Sequence, residues 1–455
     1  MTEVNRLKLT QLLQSEEQRF HKDHPKSHEL YQRARKSLPG GVPMLWMIRW
    51  AGSFPIFVKE AKGAQFTDVD GNDYIDFCLG DTGAMTGHGP EATVNAITEQ
   101  IQKGITLMLP YEDVIWVGEE LQRRFKLPYW QFALTATDAN RFVLRMARRI
   151  TARPKILVFN YCYHGSVDET FITLDEEGTP MSRANNMGPQ VDPRFTTKVI
   201  EFNDIAALET ALSARDVAAV LAEPVMTNIS IIHPEPGYHD ALRELTRKYG
   251  TYLIIDETHT ICAGPGGYTA LHGLQPDFLT IGKPLAGGLP AAVYGFTEEV
   301  SKQFSSSLEV NDADVGGIGG TLAGNALSIA AMKATLQYVL TDEFYRKAIA
   351  LQKCFTEGVE SVIKEFELPW IVKRLGNRSE YWFRPTAPKN GGEAFAAIDH
   401  DLDRYMHLFA LNRGILMTPF HNMALISPDT TQADVDYHTK VFKEAVQSLF
   451  GVIND

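Results

Sequence analysis

The sequence predicts an α/β protein: a large domain with a mostly parallel central sheet, and a smaller α+β domain formed by the N- and C-terminal parts. Three observations carry this. Between about residues 130 and 296, short runs apolar on both faces alternate with helical periodicity, the pattern of a parallel sheet covered by helices. Past about residue 330 that alternation stops, after the helical stretch ALSIAAMKATLQYVL, and mixed elements run to the end. A chain of 455 residues also exceeds what one small core organises, so more than one domain is expected.

The elements follow in order. Residues 1–65 begin as a polar, weakly amphipathic helix and continue into LPGGVPMLWMIRWAGSFP. That composition suits an arm and part of the small domain, packed on something else. AQFTDVDGNDYIDFC places two alternating runs around an Asp-Gly turn, a hairpin signal. Residues 66–330 are expected to form the large domain. Its strand candidates are QFALTA, KILVFN, VAAVLAEPV, TYLIIDE, FLTIGK and AAVYGF, with DANRFVLRMARRIT and YHDALRELTRKYG among the helices between them. Residues 331–455 complete the small domain.

Composition narrows the partners. Acidic residues outnumber basic ones, 56 to 44, so nucleic acid is not expected. Cys78, Cys162, Cys262 and Cys354 lie far apart with no CxxC spacing, which suggests neither a disulfide framework nor a zinc site. The N-terminus lacks the apolar core of a signal peptide, and no run is long and apolar enough to span a membrane. A soluble, cytoplasmic protein is the expectation.

In an open α/β sheet, ligands bind beyond the carboxyl ends of the strands, so the polar residues that end these runs matter most. TYLIIDETHT ends in Asp256, which could be a turn cap, a base or a counter-ion for a bound cation. A metal shared by Asp256, Glu257 and His259 is disfavoured, because adjacent strand residues point to opposite faces. In FLTIGKPLAGG, Lys283 is a lone cation after an apolar run. It either snorkels to water or is a desolvated amine able to attack a carbonyl. Thr135 and Asp138 have capping-box spacing, and the same helix start would suit a phosphate. Tyr163, in YHG, could stack on a flat ligand, and Glu223 closes VAAVLAEPV with another carboxylate. The GGIGGTLAGN run is no nucleotide fingerprint, since no strand leads into it. An amine, a carboxylate, an aromatic and a phosphate site together match pyridoxal 5'-phosphate, whose ring serves as an electron sink.

These motifs resemble those of the class III (subgroup II) aminotransferases, fold-type I pyridoxal-phosphate enzymes. Within that family they are most similar to the branch of glutamate-1-semialdehyde aminomutase and β-amino-acid aminotransferases. LIIDETHT, FLTIGKPLAGG, YHG, AEP, GGTLAGN and TDVDGNDYIDF carry the likeness, which runs from about Leu38 to the C-terminus. The resemblance implies that Lys283 carries the cofactor as a Schiff base and shuttles the substrate proton. Asp256 would pair with the pyridinium nitrogen, Tyr163 and Thr258 would face the two sides of the ring, and Glu223 would lie near its hydroxyl. Thr135, Ala136 and Thr137 would hold the phosphate, joined by Thr321 from the neighbouring subunit of a homodimer.

Two departures bear on substrate. The family's Ser-Gly-Thr-Glu-Ala phosphate motif reads Thr135-Ala136-Thr137-Asp138-Ala139 here, which preserves backbone donation. The arginine that relatives place soon after PGGV is replaced near Trp46 or Met47, with Arg49 displaced, and the late loop MTPFHNMAL offers Phe420 and His421 instead. With both carboxylate clamps replaced, the amino donor is expected to do without an α-carboxylate and to be bulky or apolar. Arg378 is the remaining anion partner for a keto acid such as pyruvate, or else the member of a surface ion pair. The expected activity is ping-pong transamination. Alternatives on the same cofactor are an aminomutase, a β-amino-acid aminotransferase and a racemase. A nicotinamide oxidoreductase lacks its GxGxxG signature here, and a binding protein without turnover would use the same residues.

Overall fold

The structure is a computed structural model, and residues 4–307, 315–419 and 421–451 are described. The chain divides into two compact units, one comprising Met1–Pro90, Glu343–Ala387 and Ala397–Asp455, the other Glu91–Asp342 and Pro388–Ala396.

The second unit is built on a seven-stranded sheet. Its strands are β1 (Tyr129–Ala133), β2 (Lys155–Phe159), β3 (Thr197–Ile200), β4 (Val217–Ala222), β5 (Tyr252–Asp256), β6 (Phe278–Ile281) and β7 (Ala292–Phe296). They lie in the order β1-β7-β6-β5-β4-β2-β3. Neighbours from β6 to β3 pair in parallel, while β7 is antiparallel to both β6 and β1. The interior strands β4, β6 and β7 are buried at every position, which is why their runs read as continuously apolar rather than alternating. β3 is short and carries Lys198 in TKVI; it was not among the expected strands. The helix Ala136–Thr151 buries Ala139, Phe142, Val143, Met146 and Ala147 in the core cluster that also holds Ile254, Phe278 and Tyr294.

The other unit contains the predicted hairpin. Gln65–Asp68 pairs antiparallel with Asp73–Asp76 around Gly71, and Ile415–Leu416 adds to the second strand in parallel. The N-terminal helix Arg6–Asp23 buries Leu9, Leu13 and Phe20, and its Glu16 pairs with Arg413 at 3.0 Å.

The units and the expected domain limits differ at three places. Residues 66–90 belong with the chain ends because Ile415–Leu416 completes the hairpin's four-stranded sheet, which also holds Val58–Lys62. Residues 331–342 stay with the large unit because Ala326–Ala334 is buried on most of its surface, with Thr335 hydrogen-bonded to Thr93 at 2.9 Å. Residues 388–396 also return to the large unit, where Phe395 stacks on Tyr161.

Candidate active site

The site lies in the large unit, where the carboxyl ends of β2, β4, β5 and β6 meet the start of the helix Ala136–Thr151. Those four strands are consecutive in the sheet. Asp256, Glu223, Tyr163 and Lys283, far apart in sequence, therefore emerge on one edge.

Asp256 ends β5 and is 4% exposed. Its Oδ2 accepts hydrogen bonds from Asn140 Nδ2 at 2.8 Å and His164 Nδ1 at 2.9 Å, and its Oδ1 accepts one from Thr258 N at 3.0 Å. Burial alone would favour the neutral acid, but these donors, led by His164, overcome it and hold the carboxyl down at about 2. Burial likewise opposes charge on His164. The neighbouring Cys162 and the bond to Asp256 override it and raise the imidazole to about 10. Both shifts favour an imidazolium–carboxylate pair across this 2.9 Å contact in the interior. A buried ion pair of this kind is costly to half-dismantle.

Lys283 follows β6 through Gly282. Its φ is +54°, a left-handed conformation that costs a non-glycine residue about 1–3 kcal/mol and concentrates at functional sites. The side chain is only half-buried, and Nζ lies 2.6 Å from His259 Nε2. Thr258 Oγ1 accepts from Gly282 N at 3.2 Å, which ties the end of β5 to the backbone beside Lys283.

Thr135 caps the helix that follows β1. Its hydroxyl accepts from Asp138 N at 3.2 Å and donates to the Asp138 carboxylate at 2.9 Å. The early N–H groups of such a helix have no intrahelical acceptor, which makes its start an anion site. Two glycines close the walls around it. A β-carbon on Gly282 would lie 3.0 Å from Ala136 Cβ and 3.2 Å from Ala136 N, so a larger residue would push the lysine loop a few tenths of an ångström from the helix start. Gly165 has φ +77°, and a β-carbon there would lie 2.9 Å from Thr137 Cα. Ser166 N donates to Thr137 Oγ1 at 2.9 Å across the same contact. Gly165→Ala is expected to displace the helix start from the YHG loop and cut turnover by roughly 10²-fold, the effect of about an ångström of misplacement. Titration of the variant with cofactor should show weakened binding, and unchanged binding would refute the assignment.

Glu223 follows β4 and is buried. Burial pushes its carboxyl up to about 7 against the hydrogen bonds from Thr227. Thr227 occupies Oε2, while Oε1 has no protein partner among the described residues; the same holds for His164 Nε2. Two buried polar atoms left open, beside an anion-binding helix start and an amine, fit a heterocycle with polar substituents and a phosphate. Among the described residues no cluster of His, Cys, Asp or Glu could hold a metal.

Of the remaining sequence candidates, Tyr163 stays on the same edge of the sheet and the others fall elsewhere. Tyr163 is half-buried, edge-on to Phe171 at 6.4 Å between ring centres. Thr321 is exposed and lines a cavity of about 300 Å³ with Thr106, Tyr111 and Phe132; nothing places it beside Lys283 within this chain. Trp46 and Arg49 belong to the other unit, on the exposed turn Leu45–Ile48 and its C-terminal end. Arg378 is also in that unit and is fully buried. Its guanidinium is engaged by Thr82, by Asp81 at 3.5 Å and by Met423 Sδ at 3.1 Å. It is thus not a surface residue. His421 lies 3.7 Å from Glu380; Phe420 is outside the described residues.

Sequence reasoning passed over Asn140 and His164 as site residues, and His259 as the partner of Lys283. Asn140 had a readable signal: it is the polar residue on the apolar face of an otherwise well-patterned helix, and it is completely buried.

A lysine after β6 and a buried carboxylate at the end of β5, above a mostly parallel sheet, define a pyridoxal-phosphate enzyme of fold type I. The family profile of aminotransferase class-III matches residues 46–445. The chain belongs to the class-III aminotransferases. It is 31% identical over 426 residues to a glutamate-1-semialdehyde 2,1-aminomutase of Archaeoglobus fulgidus, spanning 92% of this chain and 99% of that one. A solved glutamate-1-semialdehyde-aminomutase from Pseudomonas aeruginosa PAO1 shares 47% identity with a TM-score of 0.96, covering 98% of this chain and all of that one. An omega-transaminase from Sphaerobacter thermophilus shares 27% identity with a TM-score of 0.85, over 93% and 98% of the two chains.

Proposed function

We propose that the protein transfers an amino group from a donor amine, bulky or apolar and without need of an α-carboxylate, to a keto acid such as pyruvate. When bound, pyridoxal phosphate supplies the electron sink that makes the carbon beside the transferred nitrogen acidic. The protein's own groups direct that chemistry. Lys283 anchors the cofactor, and its released Nζ takes the proton from the donor carbon and returns it at the other end of the reacting system. His259, 2.6 Å from that nitrogen, orients it. Asp256 stays ionised and keeps the ring nitrogen protonated. The helix start at Thr135, Ala136 and Thr137 fixes the phosphate, Tyr163 and Thr258 confine the ring, and Glu223 Oε1 meets its hydroxyl side. We assign Thr321 to the cofactor phosphate of a second subunit in a homodimer, and the protein to the cytoplasm, in keeping with its acidic composition; no described helix is long and apolar enough to cross a membrane.

The observation that carries the donor preference is the exposed apolar turn with Trp46 at 40% exposure and Leu45, Met47 and Ile48 around it, near the position where the family resemblance implies an arginine. A donor panel of plain arylalkyl amines, β-amino acids and glutamate semialdehyde, each with pyruvate, tests it. Plain amines are expected to turn over with release of a separate keto product. The names of the relatives favour a second reading, an intramolecular aminomutase. Turnover of glutamate semialdehyde alone, with no keto acid required, would establish that reading in place of ours.

A further inference from the structure

We propose that Asn140 and Thr280 are positioning residues that fix the carboxylate of Asp256 relative to the helix start. Thr280 is the in-register neighbour of Asp256 across the parallel pair β5–β6, so their side chains leave the sheet on the same face. The helix Ala136–Thr151 provides Asn140 to bridge them. Asn140 and Thr280 are both fully buried. Thr280 Oγ1 donates to Asn140 Oδ1 at 2.7 Å, and Asn140 Nδ2 donates to Asp256 Oδ2 at 2.8 Å and to the His164 carbonyl at 3.1 Å.

The orientation of the amide is determined. Turned over, Asn140 would set its oxygen against two acceptors, the Asp256 carboxylate and the His164 carbonyl, losing both bonds. The threonine hydroxyl adds a donor that only the observed orientation can use. Asn140 also lies in the second turn of the helix whose first turn forms the anion site. One residue therefore couples the group that would hold the phosphate to the group that would hold the ring nitrogen. Neither Asn140 nor Thr280 needs to touch the cofactor for this. A site whose supporting hydrogen bonds are all made holds its geometry to a few tenths of an ångström, and that precision is what preorganised catalysis requires.

The inference rests on Asp256 being the partner of the ring nitrogen, and the test separates the two. Thr280→Val keeps shape and removes the hydroxyl; Thr280→Ser keeps the hydroxyl. In the holoenzyme, Thr280→Val is expected to lower kcat about tenfold, the scale of one lost orienting bond, with the KM of donor and acceptor within about twofold. Affinity of the apo-protein for pyridoxal phosphate, read from quenching of tryptophan fluorescence, should weaken by a similar factor. Thr280→Ser should restore both. Equal kcat and cofactor affinity in wild type and Thr280→Val, or an equal loss in Thr280→Ser, overturns the proposal. Should Thr280→Val fail to fold, Asn140→Asp decides: a carboxylate facing Asp256 must weaken cofactor binding and kcat, and wild-type values would refute the role. If Asp256→Asn is itself silent, the reading of Asp256 fails; if it is impaired while these variants are not, only the present inference fails.

Discussion

Replacing Lys283 by alanine is expected to leave a folded protein that binds the cofactor without a covalent bond and no longer turns over. The fold should survive because the side chain is half-exposed, so its loss opens no sealed cavity, and because alanine tolerates the left-handed backbone no worse than lysine. The phosphate site we propose is the helix start, walled by Gly165 and Gly282, and the substitution replaces none of these residues. The amine, in contrast, has no substitute. Loss of a positioned proton carrier alone costs roughly 10²–10⁴-fold, and loss of the covalent anchor compounds it. Two measurements check the expectation here. Borohydride should fix cofactor to the wild type and not to the variant, and single-turnover release of keto product should fall below detection. A variant within tenfold of wild-type turnover would end the assignment of Lys283.

The fold was legible because the signal for a buried parallel sheet is local: VAAVLAEPV and TYLIIDE are apolar at consecutive positions, and only an interior strand has that need. Lys283 and Asp256 were legible for a related reason, since a charge at the end of such a run is out of place unless something uses it. His164 and Thr280 were not. Each is an ordinary residue in its own segment, and its meaning arises only when β5, β6 and the helix after β1 bring both, with Asn140, around one carboxylate. The burial of Arg378 was not legible either: a surface ion pair was one expectation for it, whereas the structure sets it within Arg378–Trp382, buried at every position. Thr82 and Asp81, almost 300 residues earlier, are what make that burial possible. The two compact units differ from the expected domain limits for a like reason, because strand pairing between residues 73–76 and 415–416 leaves no trace in either segment alone.

Asp256→Asn is the second variant with a large expected effect, and its interest lies in being isosteric. The carboxylate accepts on both oxygens: from Asn140 and His164 on one, from Thr258 N on the other. An amide has one oxygen and one NH₂, so either orientation sets a donor against a donor in a site closed to water. Each buried group left unsatisfied costs about 1–3 kcal/mol. The ring nitrogen also loses its anion, so kcat should fall by roughly 10²–10³-fold, the scale for removing one preorganised electrostatic partner. Stability and pH are linked with a definite sign. The Asp256 carboxyl is held down at about 2 in the fold, below the ~4 of an unfolded chain. Its contribution is therefore complete above about pH 4 and vanishes as pH falls toward 2. His164 is raised to about 10 from about 6.5, so its contribution is complete below about pH 6.5 and is lost as pH climbs through 10. Both are complete together only between about pH 4 and 6.5. Melting curves of wild-type and Asp256→Asn apo-protein should thus differ most near pH 5–6, and the difference should narrow toward pH 10 without vanishing, because the bonds from Asn140 and Thr258 do not titrate there. A difference independent of pH would mean that the imidazole is neutral throughout and that Asp256 is held ionised by Asn140 and Thr258 alone.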